Sequence, residues 1–144
     1  MKRNWYKAKV KYAKEVDGIR KKVSAEFLVD AQSFTETEKR MLKSSSDLLD
    51  TRDIDINAIA IESVTDILDD GDEDSKWYKA VVPLMVEDDS GKIKATPQNI
   101  YVRAEDTKDA DAKVREHMQS SMIDWEIKSI TETKVVAVLK YSDK

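Results

Sequence analysis

Residues 5–10 read WYKAKV and residues 77–82 read WYKAVV, so two hexapeptides share five of their six positions. Two Trp-Tyr pairs in a chain with three tryptophans indicate a duplicated segment rather than chance. Other apolar positions recur at nearly the same offset, such as Val29 with Val102 and Ile56 with Ile127. The sequence therefore predicts two repeats, 1–71 and 72–144. A unit of about 70 residues buries little surface alone, so we expect one shared compact body.

Each repeat begins with a pattern that predicts a β-hairpin. In the first, Trp5 and the lysines at every second position after it lie on one side of the segment, and apolar side chains lie on the other. This alternation is typical of a half-buried strand. Asp17-Gly18 supplies a tight turn. In the second repeat we predict strands at 77–87 and 93–104, joined by a turn that contains a glycine.

A helix is predicted next in each repeat. Ser33 and Glu36 fit a capping box, in which each side chain accepts a hydrogen bond from a free backbone N–H at the start of the helix. Asp106 is the corresponding N-cap in the second repeat. The predicted apolar stripes are Phe34, Met41, Leu42, Leu48 and Leu49 in the first helix and Ala110, Val114, Met118 and Met122 in the second.

Long extended segments, 54–68 and 125–141, close the repeats. Ile54 and Ile56 share one parity, whereas Ile59 and Ile61 share the other. A β-bulge between the second and third isoleucine would turn all four toward one core. The alternative is a strand that is buried on both faces.

These elements predict an α+β fold made of a duplicated β-β-α-β(β) repeat. The simplest packing is a mainly antiparallel sheet with two helices packed on it. The acidic stretch from Asp66 to Asp74, which contains Gly71, is predicted to be the solvated linker between the repeats.

The composition excludes several classes of protein. The chain has 144 residues with no cysteine, one histidine and three glycines. Thiol catalysis, Cys-based zinc or iron–sulfur sites and Gly-rich phosphate loops are therefore excluded. We expect no enzyme, no catalytic residues, no metal and no cofactor, with His117 packed at a helix border. No apolar run approaches the length of a membrane span, and the basic start lacks the apolar core of a signal peptide, so we expect a cytoplasmic protein without a membrane partner.

Four motifs together resemble a known family. They are N-W-Y-x-x-x-V-x-Y from Asn4, V-D-A-x-S-F-T-E-x-E from Val29, W-Y-K from Trp77 and W-E-I-x-S-I-x-E-T from Trp125. In combination they resemble an uncharacterised domain family of Bacteroides-type gut bacteria and their phages. The resemblance implies a phage or mobile-element setting, with roles in replication, recombination or counter-defence, and it supplies no catalytic residues.

Charge is distributed unevenly along the chain. Residues 1–23 contain nine basic and two acidic side chains, a net charge of +7, whereas the whole chain carries −4. The remaining residues therefore carry −11. A basic strand face with an aromatic ring is one way to bind single-stranded nucleic acid, because cations follow the phosphates and the ring stacks on a base. The candidate binding residues are Trp5, Lys7, Lys9, Lys11, Arg20 and Lys22.

Other interpretations stand beside this one. Lysines on an edge strand also block aggregation, and a repeated tryptophan is more often a packing residue. A second class of function is a protein-interaction or assembly module, with a protein partner or a homo-oligomer, in which Trp5, Trp77 and Val81 would be interface groups. A third class is a binding module, or sponge, for a small anionic ligand such as a nucleotide.

Overall fold

A computed structural model describes residues 3–49, 54–69, 71 and 75–140 of the chain. In chain order the elements are β1 (Asn4–Val16), β2 (Ile19–Ala31), α1 (Phe34–Leu48), β3 (Ile54–Glu62), β4 (Asp66–Leu68), β5 (Lys76–Glu87), β6 (Ile93–Ala104), α2 (Thr107–Met118), β7 (Ser129–Glu132) and β8 (Val135–Leu139).

The strands form two four-stranded sheets. The first has the order β3-β1-β2-β8 and the second the order β4-β6-β5-β7. In each sheet a hairpin forms the centre, the strand after the helix pairs antiparallel to the hairpin's first strand, and a short strand pairs parallel to its second. The α+β class with mainly antiparallel pairing is confirmed, and one helix packs against each sheet.

Each of the two short parallel strands belongs to a different sheet from the strand that precedes it in the chain. β4 follows β3 in the chain but belongs to the second sheet, and β8 follows β7 but belongs to the first. The chain accordingly divides into unit 1, Met1–Glu62 with Lys134–Lys144, and unit 2, Ser63–Thr133. The described core residues form two clusters, one in each unit. The duplication at 1–71 and 72–144, with one shared body, stays a prediction.

Both predicted hairpins are present. In the first, Asp17 and Gly18 have φ values of 53° and 78°, which is the left-handed backbone that a two-residue hairpin turn requires. In the second, Asp88 Oδ1 accepts hydrogen bonds from the backbone N–H of Ser90 and of Lys92. These contacts hold the wider turn between β5 and β6.

The predicted change of phase in the isoleucine segment is a β-bulge. Ala58 pairs with Lys9 and Ile56 pairs with Val10, so Asn57 is an extra residue in β3. The bulge lets Ile54, Ile56 and Ile59 all pack against the core of unit 1. The prediction is wrong for Ile61, near the end of β3, which is 57% exposed. In unit 2 a continuous register would pair Leu84 with Glu126, but Leu84 pairs with Trp125. The same shift by one residue therefore occurs there.

Both predicted helix N-caps are confirmed. The Glu36 N–H donates to Ser33 Oγ over 3.1 Å, and Glu36 Oε2 accepts from the Gln32 N–H. In α2, Asp106 accepts from the Asp109 N–H over 2.7 Å, and Asp109 accepts in turn from the backbone N–H of Glu105. This last contact holds the pKa of Asp109 below its ordinary value, because a donated hydrogen bond favours the charged carboxylate.

The predicted apolar stripes are correct only in part. Met41, Ala110, Val114 and Met118 are buried, and Leu49 packs against the core, whereas the side chain of Leu48 lies outside the described residues. Phe34 and Leu42 are exposed, and Met122 lies beyond the end of α2, fully exposed. Helical spacing predicted a longer buried face than a helix resting on a single sheet provides. Neither helix has the length and apolar character that crossing a membrane requires, within the part of the chain described.

Candidate nucleic-acid interface

The six predicted binding residues lie on one face of the first hairpin. Directly paired residues of antiparallel strands project to the same side. In β1 the odd-numbered residues, Ala13 and Glu15 among them, project to the same side as Trp5. Lys22 pairs with Ala13 and Arg20 pairs with Glu15, so both project to that side as well. We call this side, which bears Trp5, Lys7, Lys9, Lys11, Arg20 and Lys22, the basic face. It is the side of the sheet opposite the core cluster.

The basic face is closed at one end. Trp5 is half-buried, and Leu28, which pairs with Lys7, has no exposed surface. The Lys7 ammonium lies 2.9 Å from a carboxylate oxygen of Glu62, and both side chains are largely covered. A base has less access to a half-buried ring, and a paired ammonium has lost part of its attraction for phosphate. This end is therefore the weaker part of the predicted site.

The other end of the basic face is open to solvent. The Lys9 side chain is 61% exposed, and its Nζ is 3.9 Å from Glu26, which is an edge-of-range ion pair. Lys11 and Lys22 are exposed and have no ion-pair partner among the residues that the structure describes. Arg20 is exposed and pairs in register with Glu15. Four of the six predicted residues are thus exposed to solvent.

Beyond these residues the hairpin continues as a two-stranded arm. β3 pairs with β1 only as far as Tyr12, and β8 pairs with β2 only from Glu26 onward. Residues 13–22, which we call the arm, therefore pair only with each other among the residues that the structure describes. Every residue from Lys14 to Lys22 is exposed. The side chains of this stretch carry a net charge of +2.

The arm contains two basic residues that sequence reasoning left out of the site. Lys14 and Lys21 pair directly, on the side of the arm opposite the basic face. Two like charges in this position repel each other, and within the described chain neither has an ion-pair partner. Both lysines were counted in the net charge of residues 1–23. They were not among the candidate binding residues, because those were chosen from the single face of the hairpin that bears Trp5. The arm is consequently basic on both sides.

The second hairpin provides an internal comparison. Its outer segment, residues 85–95, carries three acidic and two basic side chains. Where the first hairpin pairs Lys9 with Glu26 and Lys11 with Ser24, the second pairs Val81 with Asn99 and Pro83 with Pro97. Trp77 is only 2% exposed and has the Arg103 guanidinium 5.6 Å from its ring centroid. The basic character belongs to the first hairpin alone.

His117 and the acidic stretch have structural partners. His117 Nε2 lies 3.0 Å from Asp66 Oδ2, so the histidine joins α2 to β4. Asp69 contacts Arg103 over 3.2 Å. The linker prediction is therefore wrong for residues 66–69, which form β4 and an ion pair. Residues 70 and 72–74 lie outside the described residues.

Unit 2 also has a shallow cleft of about 500 Å³, lined by Ile67, Leu68, Asp69, Lys113, Glu116 and His117. Its side chains have mixed charge. Within the described chain, no group of three or more acidic or histidine side chains could hold a metal ion.

Comparison with known families identifies the chain. Residues 4–141 match a family described as Domain of unknown function (DUF4494). The chain belongs to the DUF4494 family. This confirms the resemblance to an uncharacterised domain family. No curated protein and no solved structure matches this DUF4494 chain.

Proposed function

We propose that this DUF4494 protein is a non-enzymatic nucleic-acid-binding protein that holds single strands on the arm and the open end of the basic face. The observation that carries the proposal is the Lys14–Lys21 pair, two like charges placed directly opposite on an arm that no third strand of the described chain joins. Such a pair lowers the stability of a hairpin, so its presence favours a polyanionic partner that would neutralise it.

The exposed lysines give the proposal its physical basis. Lys14, Lys21 and Lys22 are exposed on the two sides of the arm, and Lys11 is exposed on the basic face beside it. Residues two apart on a strand are about 7 Å apart, so a flexible backbone can contact successive ammonium groups along it. Binding would release counterions from the strand and would weaken as salt is added. The half-buried Trp5 and the paired Lys7 have a supporting role at most.

The setting is part of the same proposal. The family resemblance of the four sequence motifs supports an accessory role in a phage or mobile element, in the cytoplasm of the host. A counter-defence role belongs to the same setting. A protein-interaction module has less support, because it relied on Trp77, which is 2% exposed.

A salt-dependent titration tests the proposal. Labelled oligo-dT is titrated with the full chain at several salt concentrations and followed by fluorescence anisotropy. We expect the tightest binding at the lowest salt concentration. In a variant with Lys11, Lys14, Lys21 and Lys22 all changed to Gln, the slope of log K against log salt should flatten by about 3, since each contact with a single strand contributes about 0.7.

The second hairpin supplies the matched control. Lys92 and Lys94 are exposed lysines near its turn, and changing both to Gln should leave the slope unchanged. Circular dichroism and thermal melting verify that every variant is folded. Absence of binding by the wild-type chain at about 50 mM salt, where counterion release is most favourable, would refute the proposal.

A further inference from the structure

Two register shifts meet at one level of the first sheet. The pairing of β1 with β3 shifts between Lys9 and Val10, and the pairing of β2 with β8 shifts between Glu26 and Phe27. Lys9 and Glu26 are themselves paired across the hairpin. The strands on both sides of this pair are therefore irregular at the same height. Bulges of this kind leave backbone unpaired and redirect side chains.

A small cavity lies at this level. It has a volume of about 150 Å³. The polar residues that line it are three lysines, a serine, an asparagine and a glutamate: Lys9, Lys11, Lys134, Ser24, Asn57 and Glu26. At about 30 Å³ for each water molecule, this is the space of about five waters. It can hold one phosphate group but not a nucleoside.

We propose that this cavity binds a single phosphate-class oxyanion. The residues that line it carry a net charge of +2, because the charge of Glu26 offsets that of one of the three lysines. Glu26 is mostly covered and lies 3.9 Å from Lys9 Nζ, which places that ammonium near the strand level of the cavity. The other two ammonium groups, the Ser24 hydroxyl and the Asn57 amide can all donate hydrogen bonds to anion oxygens.

The second sheet indicates that these charges are not needed to build the fold. At the matching level of its hairpin, Val81 pairs with Asn99, and Pro83 pairs with Pro97. A sheet of the same strand arrangement thus forms there without a lysine in these four positions. The charged set in unit 1 is an addition to a sheet that does not require it.

The oxyanion has two possible sources, a free phosphate compound and one phosphate of a bound strand. Binding of a free phosphate compound does not depend on the proposed function. Binding of a strand phosphate rests on the proposed function and adds a phosphate site to it. Lys134 separates the two sites, since it lines the cavity but is no part of the arm or of the basic face.

The test uses the ¹⁵N-labelled full chain, titrated with sodium phosphate at constant ionic strength. We expect saturable shifts of the Ser24, Glu26, Asn57 and Lys134 amide signals, with a Kd of about 1 mM, which a few ionic contacts support. Lys134→Gln should weaken binding by about fivefold, the value of one charge contact in water. Lys11→Gln is a second variant with the same expectation. Lys92→Gln, on the other hairpin, should change nothing.

Amide shifts that do not saturate, or that are the same in Lys134→Gln as in the wild type, would overturn the proposal. Thymidine 5′-monophosphate and oligo-dT then separate the sources. Tighter binding of the mononucleotide than of phosphate favours a free nucleotide, and phosphate that displaces oligo-dT from the cavity favours a strand.

The two proposals can fail separately. If phosphate saturates the cavity while oligo-dT does not bind, the nucleic-acid proposal fails and the cavity stands. If oligo-dT binds the arm while neither phosphate nor Lys134→Gln has any effect, the cavity proposal is wrong and the nucleic-acid interface stands.

Discussion

Asp88 shows how one side chain can hold a turn. Its Oδ1 accepts from the Ser90 hydroxyl over 2.7 Å and from the backbone N–H groups of Ser90 and Lys92, each over 2.9 Å. The Ser90 hydroxyl, followed by the Lys92 N–H, lowers the pKa of Asp88 below its ordinary value. Hydrogen bonds to the charged form favour that form, so the folded chain binds a proton here less readily than the unfolded chain does.

This lowered pKa predicts a loss of stability in acid. The stabilisation by Asp88 is complete above the carboxyl's unfolded pKa and is lost as the pH falls through its lower folded pKa. We expect the melting temperature to fall between about pH 5 and pH 2. Thermal denaturation across this range measures the effect. Asp88→Asn should flatten the profile, whereas Asp89→Asn, at a position without a side-chain hydrogen bond in the described chain, should not. Identical profiles for the wild type and Asp88→Asn would contradict this account.

Two long side chains make matching contacts from the two helices. The Arg40 guanidinium donates to the backbone carbonyl of Asp30, and the Lys113 ammonium donates to that of Arg103 over 2.9 Å. Each contact ties a helix to the second strand of its hairpin. Arg40 also donates to the Lys140 carbonyl, beyond the end of β8. The apolar pattern of the sequence predicts neither contact, because charged residues such as Arg40 and Lys113 are expected on the solvent-exposed face of a helix.

The arm is the element in which stability and the proposed function conflict. The Lys14–Lys21 pair costs stability, since like charges directly opposite in a hairpin repel. The tip adds two exposed apolar residues, Val16 and Ile19. Since no third strand of the described chain joins it, the arm depends on its turn and on these few cross-strand contacts.

Lys21→Glu should therefore change stability and binding in opposite directions. Opposite charges at this pair should raise the free energy of unfolding by about 0.2–1 kcal/mol. Affinity for oligo-dT should fall, because an attractive contact becomes a repulsive one. Urea denaturation and anisotropy titration measure the two effects, and Lys21→Gln should be intermediate in both. Unchanged oligo-dT affinity in Lys21→Glu would remove the arm from the interface.

At the scale of the whole molecule, the last strand of the chain completes the first sheet. β8 pairs parallel with β2, and its residues Ala137 and Leu139 pack against the core cluster of unit 1. More than a hundred residues of chain separate these partners. The sheet that carries the arm and the cavity thus depends on sequence from both ends of the chain.

A charge placed in β8 should accordingly destabilise the start of the chain. Ala137→Asp puts a carboxylate against the core of unit 1 and should cost about 2 kcal/mol or more. Val136→Asp is the matched control, because Val136 is exposed on the other side of the strand and should change stability by about 0.5 kcal/mol at most. Hydrogen exchange should accelerate in β1 and β2 for Ala137→Asp only. Equal effects of the two substitutions would show that β8 does not complete this sheet.

Local patterns determined much of this fold from the sequence alone. Alternation, Asp17-Gly18 and the capping residues Ser33 and Asp106 each depend on neighbours within a few residues, so the hairpins and helix starts could be predicted. The bulge at Asn57 could also be predicted, because the isoleucines stand at even-numbered positions before it and at odd-numbered positions after it. The same alternation placed six candidate residues on one face of the first hairpin.

Only the tertiary structure decided which of those residues a ligand can reach. The partial burial of Trp5 and the pairing of Lys7 with Glu62 depend on segments that meet only in the folded chain. The membership of β4 and β8 in their sheets, and the place of Lys134 beside Lys9 and Lys11, have the same origin. Parallel pairing between distant strands leaves no periodic signal in either segment, since its hydrogen bonds join backbone groups that every residue carries.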